Sequence, residues 1–173
     1  MNPNTTTPQS WRDLPDKSAP LPSTQVAVLI KGVGFNPARS GKPMLTLNLE
    51  IIAPATTIVA GNNVAVAGRE LKHWLAFGDN KGAYVDAETM AAPYLPGNSL
   101  DVPVGDPGIP KLIGEAIVNK AMSGVFVESE AEYEKDNSGN NVIDPTTGQS
   151  KVKRYNLRLK SVTTAVPLST LGL

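Results

Sequence analysis

The sequence predicts a mainly β protein with one domain, and three observations support this prediction. Residues 44–52, MLTLNLEII, carry leucine or isoleucine at alternate positions, which is the period-two pattern of a half-buried strand. Residues 68–78, GRELKHWLAFG, alternate in the same way. The chain also has 15 glycines and 15 prolines spread along its 173 residues, which favours many turns and short strands over long helices.

The composition excludes several classes of function. A chain of 173 residues with 40% hydrophobic residues can bury one sizeable core. Its formal net charge is zero, so any site for a polyanion has to be a local patch. The absence of cysteine excludes disulfides, thiolate nucleophiles and cysteine metal sites. Because the chain has neither a secretory signal pattern nor an apolar run approaching the roughly 20 residues of a membrane helix, we expect a soluble, cytoplasmic protein.

The chain divides into an arm, a domain and a tail. Residues 1–23 contain five prolines among small polar residues and are expected to form a flexible arm, because they have little apolar surface to bury. Trp11 is the only aromatic residue of this arm, and we expect it either to dock on the domain or to stay idle. Residues 24–164 form the predicted domain, and residues 165–173 form a C-terminal tail.

A long first strand and a turn-rich loop open the predicted domain. Residues 24–33, TQVAVLIKGV, are almost continuously apolar, which indicates a strand buried on both sides. Gly32 and Gly34 near its end would let the strand bend sharply. Residues 35–43, FNPARSGKP, contain Asn-Pro and Ser-Gly pairs, which are typical of turns, and they lead into the strand at 44–52.

A short hairpin and a third long strand follow. Two β-branched pieces, residues 56–59 and 64–67, flank a predicted turn at 61–63. In the strand at 68–78, the residues predicted to face the core are Leu71, His73, Leu75 and Phe77. Lys72 and Trp74 then point outwards, and an outward tryptophan beside a lysine indicates a binding surface unless the loop after it covers the ring.

One helix is predicted. Residues 79–109 are expected to be irregular apart from a single helical turn begun by Asp86. From 110 to 122 the apolar residues recur at intervals of three and four, which indicates a helix with one apolar stripe. Ser123 and Gly124 form its predicted end.

The last predicted element is a hairpin of residues 125–136 and 152–164, joined by a flexible tip at 136–150. If Tyr133 pairs with Lys153, four further pairs follow, namely Glu132 with Arg154, Glu128 with Arg158, Val127 with Leu159 and Ser129 with Leu157. Opposite charges facing each other across strands typically add about 0.2 to 1 kcal/mol per pair. Residues 151–160 contain five basic and no acidic residues, and we therefore predict a salt ladder in preference to a nucleic-acid strip.

The order of three strands, a helix and two strands matches the five-stranded Greek-key barrel called the OB-fold. The segments GFNPARSGKPMLTLNLEIIAP and AGRELKHWLAF resemble phage-encoded single-stranded DNA-binding proteins with this fold, in which a Ser-Gly-Lys turn, an alternating strand and a Gly-Arg-led third strand recur. The resemblance covers residues 24–164. Such proteins commonly end in an acidic tail that recruits replication enzymes, whereas this chain ends in TTAVPLSTLGL.

The resemblance implies sequence-independent binding of single-stranded DNA during replication or recombination, in the host cytoplasm. Such binding needs aromatic faces for bases, each stacked base contributing about 1 to 3 kcal/mol, and cations along the phosphates. The predicted stacking residues are Trp74 and Phe35, and the predicted phosphate contacts are Lys31, Arg39, Lys42, Arg69 and Lys72. Thr46 and Asn48 are candidates for hydrogen bonds to the strand. Replication or recombination proteins and further copies of the chain are the other expected partners.

Catalysis, a metal and a cofactor are not expected. His73 is the only histidine and is predicted to be a satisfied, buried imidazole. GVGFNPARSGK lacks the spacing of a phosphate-binding nucleotide loop, and the aspartates at 79, 86 and 101 lack metal-ligand spacing. Two alternatives to DNA binding are a structural or assembly protein of a virus particle and an OB-fold module that binds protein.

Overall fold

The computed structural model describes residues 19–168, and it shows a mainly β chain, as predicted. The strands are β1 (Thr24–Gly34), β2 (Met44–Ala53), β3 (Thr56–Val59), β4 (Asn62–Ala65), β5 (Glu70–Ala76), β6 (Ala121–Tyr133) and β7 (Val152–Pro167). The helices are α1 (Lys81–Ala91) and α2 (Ile109–Ile117), with short 3₁₀ turns at Ala92–Tyr94 and Pro96–Asn98.

Five strands form one antiparallel sheet in the order β5-β2-β1-β6-β7, and β3 and β4 form a separate hairpin. Within residues 19–168, the hydrogen-bonded ladder ends at β5 on one side and β7 on the other. The sheet is curled, because Cα atoms of these two edge strands approach within 8 Å of each other. One consequence of this curl is a buried inner side and an outer side that faces water.

The core lies between the inner side of the sheet and the two helices. On β2 the side chains of Leu45, Leu47 and Ile51 are fully buried, as the alternation predicts. Helix α2 contributes Ile113 and Ile117, which are also fully buried. Burying each such side chain stabilises the fold by about 1.5 to 3 kcal/mol, so the apolar side of β2 determines which way its polar side must point.

The prediction that residues 79–109 are irregular was wrong for residues 81–91, which form helix α1. Asn80 caps the helix, since its side-chain oxygen accepts a hydrogen bond of 3.1 Å from the Gly82 amide. The buried side is formed by Ala83, Ala87 and Met90. Small alanines make a weak apolar stripe in a sequence, and the burial that stabilises this helix comes from packing against the sheet.

Helix α2 is shorter than predicted and ends at Ile117. Asn119 has a positive φ of 61°, which stops the helix, and β6 already begins at Ala121. The Asn119 amide donates to the Ile30 carbonyl at 2.8 Å, and the Ile30 amide donates to the Lys120 carbonyl at 3.0 Å. Pairing with β1 therefore ends the helix before residue 122.

The remaining boundaries differ by a few residues. The β3–β4 turn lies at Ala60 and Gly61, both with positive φ, so β4 begins at residue 62 instead of 64. Leu21 is buried and bonded to Ser129, so the last residues of the predicted arm pack on the domain. Strand β7 continues to Pro167, past the predicted domain end at 164. Residues 1–18 and 169–173 lie outside the described residues.

The register predicted for the last hairpin is confirmed at all four pairs that follow from it. Val127 lies opposite Leu159, Glu128 opposite Arg158, Ser129 opposite Leu157 and Glu132 opposite Arg154. The starting pair was wrong, because a register shift after Glu132 places Tyr133 opposite Val152. The predicted tip contains two small hydrogen-bonded turns, in which Asp136 and Asp144 accept bonds from backbone amides.

Candidate nucleic-acid interface

The outer side of β1, β2 and β5 forms a surface with three rows of residues. In the first row Trp74 lies beside Thr46, and Thr46 lies beside Gly34. The second row, in the same strand order, is Lys72, Asn48 and Gly32, and the third is Glu70, Glu50 and Leu29. We call this surface the β2–β5 face. β1 contributes glycine to the first two rows, and a β-carbon there would lie 3.6 Å from the Thr46 Cβ at Gly34 and 3.4 Å from Asn48 Nδ2 at Gly32.

Trp74 is the most prominent group of the face. Leu71 and Leu75, which point inwards from the same strand, are 6% and 2% exposed, whereas Trp74 itself is 57% exposed. The alternative that the following loop covers the indole is therefore wrong. An aromatic ring this exposed, on a strand anchored by buried leucines, is held in a fixed place where a planar ligand can reach it.

Lys72 of β5 lies opposite Asn48 of β2, and Asn48 lies opposite Gly32 of β1 on its other side. It is exposed, and among residues 19–168 its ammonium group makes no ion pair. A shallow cavity of about 420 Å³ lies next to it, lined by Lys31, Asn48, Leu49, Glu70, Leu71 and Lys72. The second row thus combines an available cation, an amide that both donates and accepts, and open space above them.

Lys31 is held by two carboxylates. Its Nζ lies 2.7 Å from Glu70 Oε1 and 3.0 Å from Glu50 Oε2. The hydrogen bond with Glu70 raises the pKa of Lys31, and the same bond lowers the pKa of Glu70. Glu50 and Glu70 are directly opposite each other, a like-charge pair that Lys31 compensates. The third row therefore carries one more negative than positive charge, and Lys31 is not free to contact a phosphate.

The loop between β1 and β2 carries the two other predicted cations. Arg39 is exposed near its tip, where the Gly41 amide donates to the Ala38 carbonyl at 2.8 Å, and within the described part of the chain it makes no ion pair. Lys42 pairs with Asp79, and this hydrogen bond lowers the pKa of Asp79. Arg39 is thus available and Lys42 is engaged.

Phe35 lies where the chain leaves β1, and it is 46% exposed. A β-carbon at Gly114 of α2 would lie 2.6 Å from its Cε1 atom, so the ring rests on the helix at the point where no side chain intervenes. Phe35 anchors the start of the β1–β2 loop on α2 and exposes the rest of its ring.

Arg69, a predicted phosphate contact, donates hydrogen bonds to two backbone carbonyls. Its Nε donates to the Ala65 carbonyl at 2.8 Å, and one terminal nitrogen donates to the Ala19 carbonyl at 2.9 Å. Its guanidinium group therefore ties the β3–β4 hairpin to the start of the described chain. The prediction of a phosphate contact did not anticipate these carbonyl partners, of which Ala65 ends β4 and Ala19 precedes β1.

The basic residues of β7 form the predicted salt ladder with β6. The pairs are Lys151–Glu134 (2.9 Å), Lys153–Glu132 (3.1 Å), Arg154–Glu132 (2.6 Å), Arg158–Glu128 (2.6 Å), Arg158–Glu130 (3.1 Å) and Lys160–Glu128 (3.0 Å). Hydrogen bonds from Asn156, Arg154 and Lys153 lower the pKa of Glu132 to about 2. Every cation from 151 to 160 thus has a carboxylate partner.

His73 lies on the inner side of β5. Its Nε2 is buried without a hydrogen-bond partner among the described residues, so the prediction of a satisfied imidazole was wrong. Burial lowers the pKa of His73, and burial also raises the pKa of Asp86 on α1. Facing the core and separated from the outer face by its own strand, His73 takes no part in the β2–β5 face.

The sequence reasoning named the outward residues of this face correctly but overlooked Glu50 and Glu70. Both stand at outward positions of their strands, so the alternation that identified Lys72 and Trp74 contains the signal for them as well. Their effect depends on Lys31, whose side chain lies at the register shift between Ile30 and Gly32.

No family model matches this chain, and no curated protein matches it. Among residues 19–168, no helix is long and apolar enough to cross a membrane. The same residues contain no group of three or more histidine, cysteine or acidic side chains suited to a metal ion.

Proposed function

We propose that this protein binds single-stranded DNA, largely without regard to sequence, and protects it during replication or recombination without performing catalysis. The observation that carries the proposal is the combination of Trp74, 57% exposed, with Lys72 two residues away on the same outward side of β5, where it makes no ion pair with any residue from 19 to 168. A stacking surface next to an available cation is the minimum that such binding requires.

The architecture supports the proposal. With the β3–β4 hairpin set aside as an excursion, the order β5-β2-β1-β6-β7 corresponds to third, second, first, fourth and fifth strands. An OB-fold is a partly open Greek-key barrel that binds oligonucleotides over its second and third strands. We therefore assign the sheet to this fold, with the β2–β5 face as its ligand surface.

On this face the roles divide among three groups of residues. Trp74 stacks on a base, and Lys72 and Arg39 contact the phosphates on either side of it. Thr46 and Asn48 donate hydrogen bonds, and the cavity beside Asn48 and Lys72 leaves room for the sugar and the phosphate backbone. Because Lys31 and Lys42 are paired, they contribute only where the DNA displaces their carboxylate partners.

The acidic row limits the path of the strand. Glu50 and Glu70 lie at the end of the face remote from Trp74, and carboxylates repel phosphates unless a cation intervenes. The DNA should therefore cross the rows of Trp74 and Lys72 and leave towards the loop of Arg39.

The test is a titration of labelled oligo-dT with the full-length protein at increasing salt. We expect salt-sensitive binding that quenches tryptophan fluorescence, and Trp74→Ala should lower the affinity by roughly 5- to 150-fold, since one stacked base contributes about 1 to 3 kcal/mol. Tyr133→Ala is the matched control, because Tyr133 is 40% exposed on the hairpin away from the face, and it should bind like the original chain.

Failure to retain oligo-dT at low ionic strength, or equal binding by Trp74→Ala, would overturn the proposal. Absence of binding together with large particles in solution would instead favour an assembly subunit.

A further inference from the structure

The shallow cavity of about 420 Å³ on the β2–β5 face contains polar groups that a nucleobase can reach. Four of its lining residues have polar side chains, namely Lys31, Asn48, Glu70 and Lys72. Lys72 lies opposite Asn48 and two residues from Glu70 on the same outward side of β5. Trp74 lies two residues from Lys72 in the other direction, so the cavity is next to the stacking ring.

Glu70 has an oxygen to spare for a ligand. Its Oε1 accepts a hydrogen bond of 2.7 Å from Lys31 Nζ, and among residues 19–168 no hydrogen bond reaches its other carboxylate oxygen. The bond with Lys31 lowers the pKa of Glu70, so the carboxylate is ionised at neutral pH. An ionised carboxylate only accepts hydrogen bonds. Glu70 therefore presents an open acceptor, on a side chain that is 66% exposed.

Asn48 is the second polar group of the cavity without a partner. It is exposed, and its amide makes no hydrogen bond within the described part of the chain. Because an amide both donates and accepts, Asn48 can pair with the ring edge of any base. Glu70 cannot donate, so it is Glu70 that distinguishes the bases, by the hydrogen atoms that they present to it.

We propose that this cavity receives the base next to the one stacked on Trp74 and favours a base with an exocyclic amino group, in particular cytosine over thymine. This inference rests on the proposed function, since it assigns a base preference to the same DNA site. The 4-amino group of cytosine donates to Glu70, as it does to carboxylates in duplex DNA. Thymine has a carbonyl oxygen at that position, which a carboxylate repels, and its N3–H lies between two such oxygens.

The path of the strand agrees with this placement. Glu70 repels phosphates, so the backbone lies away from the acidic row while the edge of a base can turn towards it. Lys72, on the Trp74 side of the cavity, then contacts a phosphate, and Glu70, on the opposite side, accepts the amino group. The carboxylate that limits the path of the backbone thus also selects the base.

The test compares the affinities of the full-length protein for oligo-dC and oligo-dT of equal length. Fluorescence anisotropy measures both at low salt and mildly alkaline pH, where cytosine is unprotonated. The two bases have rings of the same size, so stacking on Trp74 should differ little between them. We expect oligo-dC to bind roughly three- to tenfold more tightly, the net effect of one hydrogen bond. An oligonucleotide of 2-pyrimidinone, which is cytosine without its 4-amino group, should lose this advantage.

Glu70→Ala is the variant that tests the carboxylate. It should bring the ratio of the affinities for oligo-dC and oligo-dT close to one, because the acceptor for the amino group is gone. Glu130→Ala, which removes a carboxylate from the hairpin, should keep the original ratio. The ratio is the informative quantity, since the loss of a negative charge raises the affinity for both oligonucleotides alike.

Equal affinities of the original chain for oligo-dC and oligo-dT would overturn the base preference and leave the proposed function standing. A preference that survives Glu70→Ala, or that the 2-pyrimidinone oligonucleotide shares, would come from stacking and would overturn the role of the cavity. Failure to bind either oligonucleotide at low salt would overturn the proposed function and this inference with it.

Discussion

The β6–β7 hairpin and the β2–β5 face both carry cations, yet they differ in whether those cations are engaged by carboxylates. The hairpin has five basic residues between 151 and 160, and each is paired with a glutamate between residues 128 and 134. On the β2–β5 face and its adjoining loop, Lys72 and Arg39 make no ion pair within residues 19–168. The residues on the neighbouring strand, more than the number of cations, therefore determine whether the cations of a surface are available to a phosphate.

The difference has a simple physical origin. In β6, glutamates occupy the outward positions that face the cations of β7, so each cation meets an acid across the ladder. In β2, the residues opposite Trp74 and Lys72 are Thr46 and Asn48, which are neutral. Further along this side of β2 the next residue, Glu50, is acidic, and it forms an ion pair with Lys31.

The largest expected difference between the two regions comes from removing one lysine from each. Lys72→Gln should weaken oligo-dT binding by roughly three- to tenfold and reduce the salt slope by about 0.7, because one phosphate contact is lost. Lys153→Gln removes the same charge from the salt ladder and should change neither quantity. Fluorescence anisotropy at several salt concentrations measures both the affinity and the salt slope. Equal losses of affinity in the two variants would contradict the distinction between available and paired lysines.

A smaller effect should follow from releasing Lys31. Glu70→Gln removes the closer of its two partners, at 2.7 Å, and should raise the affinity for oligo-dT by roughly two- to threefold, since one local repulsion disappears. Glu130→Gln changes the net charge equally but lies on the hairpin, so it should have little effect. If both variants gained the same affinity for oligo-dT, the cause would be the change in net charge and not the loss of a carboxylate from the acidic row.

The smallest effect concerns the stability of the ladder in acid. The folded pKa of Glu132 is about 2, below its ordinary value of 4.5, so its stabilisation is present above about pH 4.5 and is lost as the pH falls towards 2. In Glu132→Gln the free energy of unfolding should therefore decline less steeply over this interval. Urea unfolding at a series of pH values measures this dependence of the free energy of unfolding on pH.

The control for the ladder is Glu115→Gln, because Glu115 makes only an exposed pair with Lys111 at 3.8 Å. Its acid profile should match that of the original chain. A Glu132→Gln profile that also matched would mean that the ladder does not hold Glu132 ionised.

The long strands, and which of their sides face the core, could be predicted from the amino-acid pattern alone. Alternation at Leu45, Leu47 and Leu75 places apolar groups inside and therefore Trp74 and Lys72 outside, because neighbouring side chains of a strand point to opposite sides. It also determined the pairing of β6 with β7, since a single register satisfies both the apolar and the charged sides.

Which cations are available, and the bounds of the helices, depend on packing between elements and could not be predicted in that way. Helix α1 is stabilised by packing of a stripe of alanines, which is a weak pattern in the sequence. Helix α2 ends where the chain begins to pair with β1. Lys31 and Arg69 are engaged by groups 39 and 50 residues away in sequence. The contact of Lys31 depends on the register shift beside it in β1, and the contact of Arg69 depends on where the segment before β1 packs, so no local pattern encodes either of them.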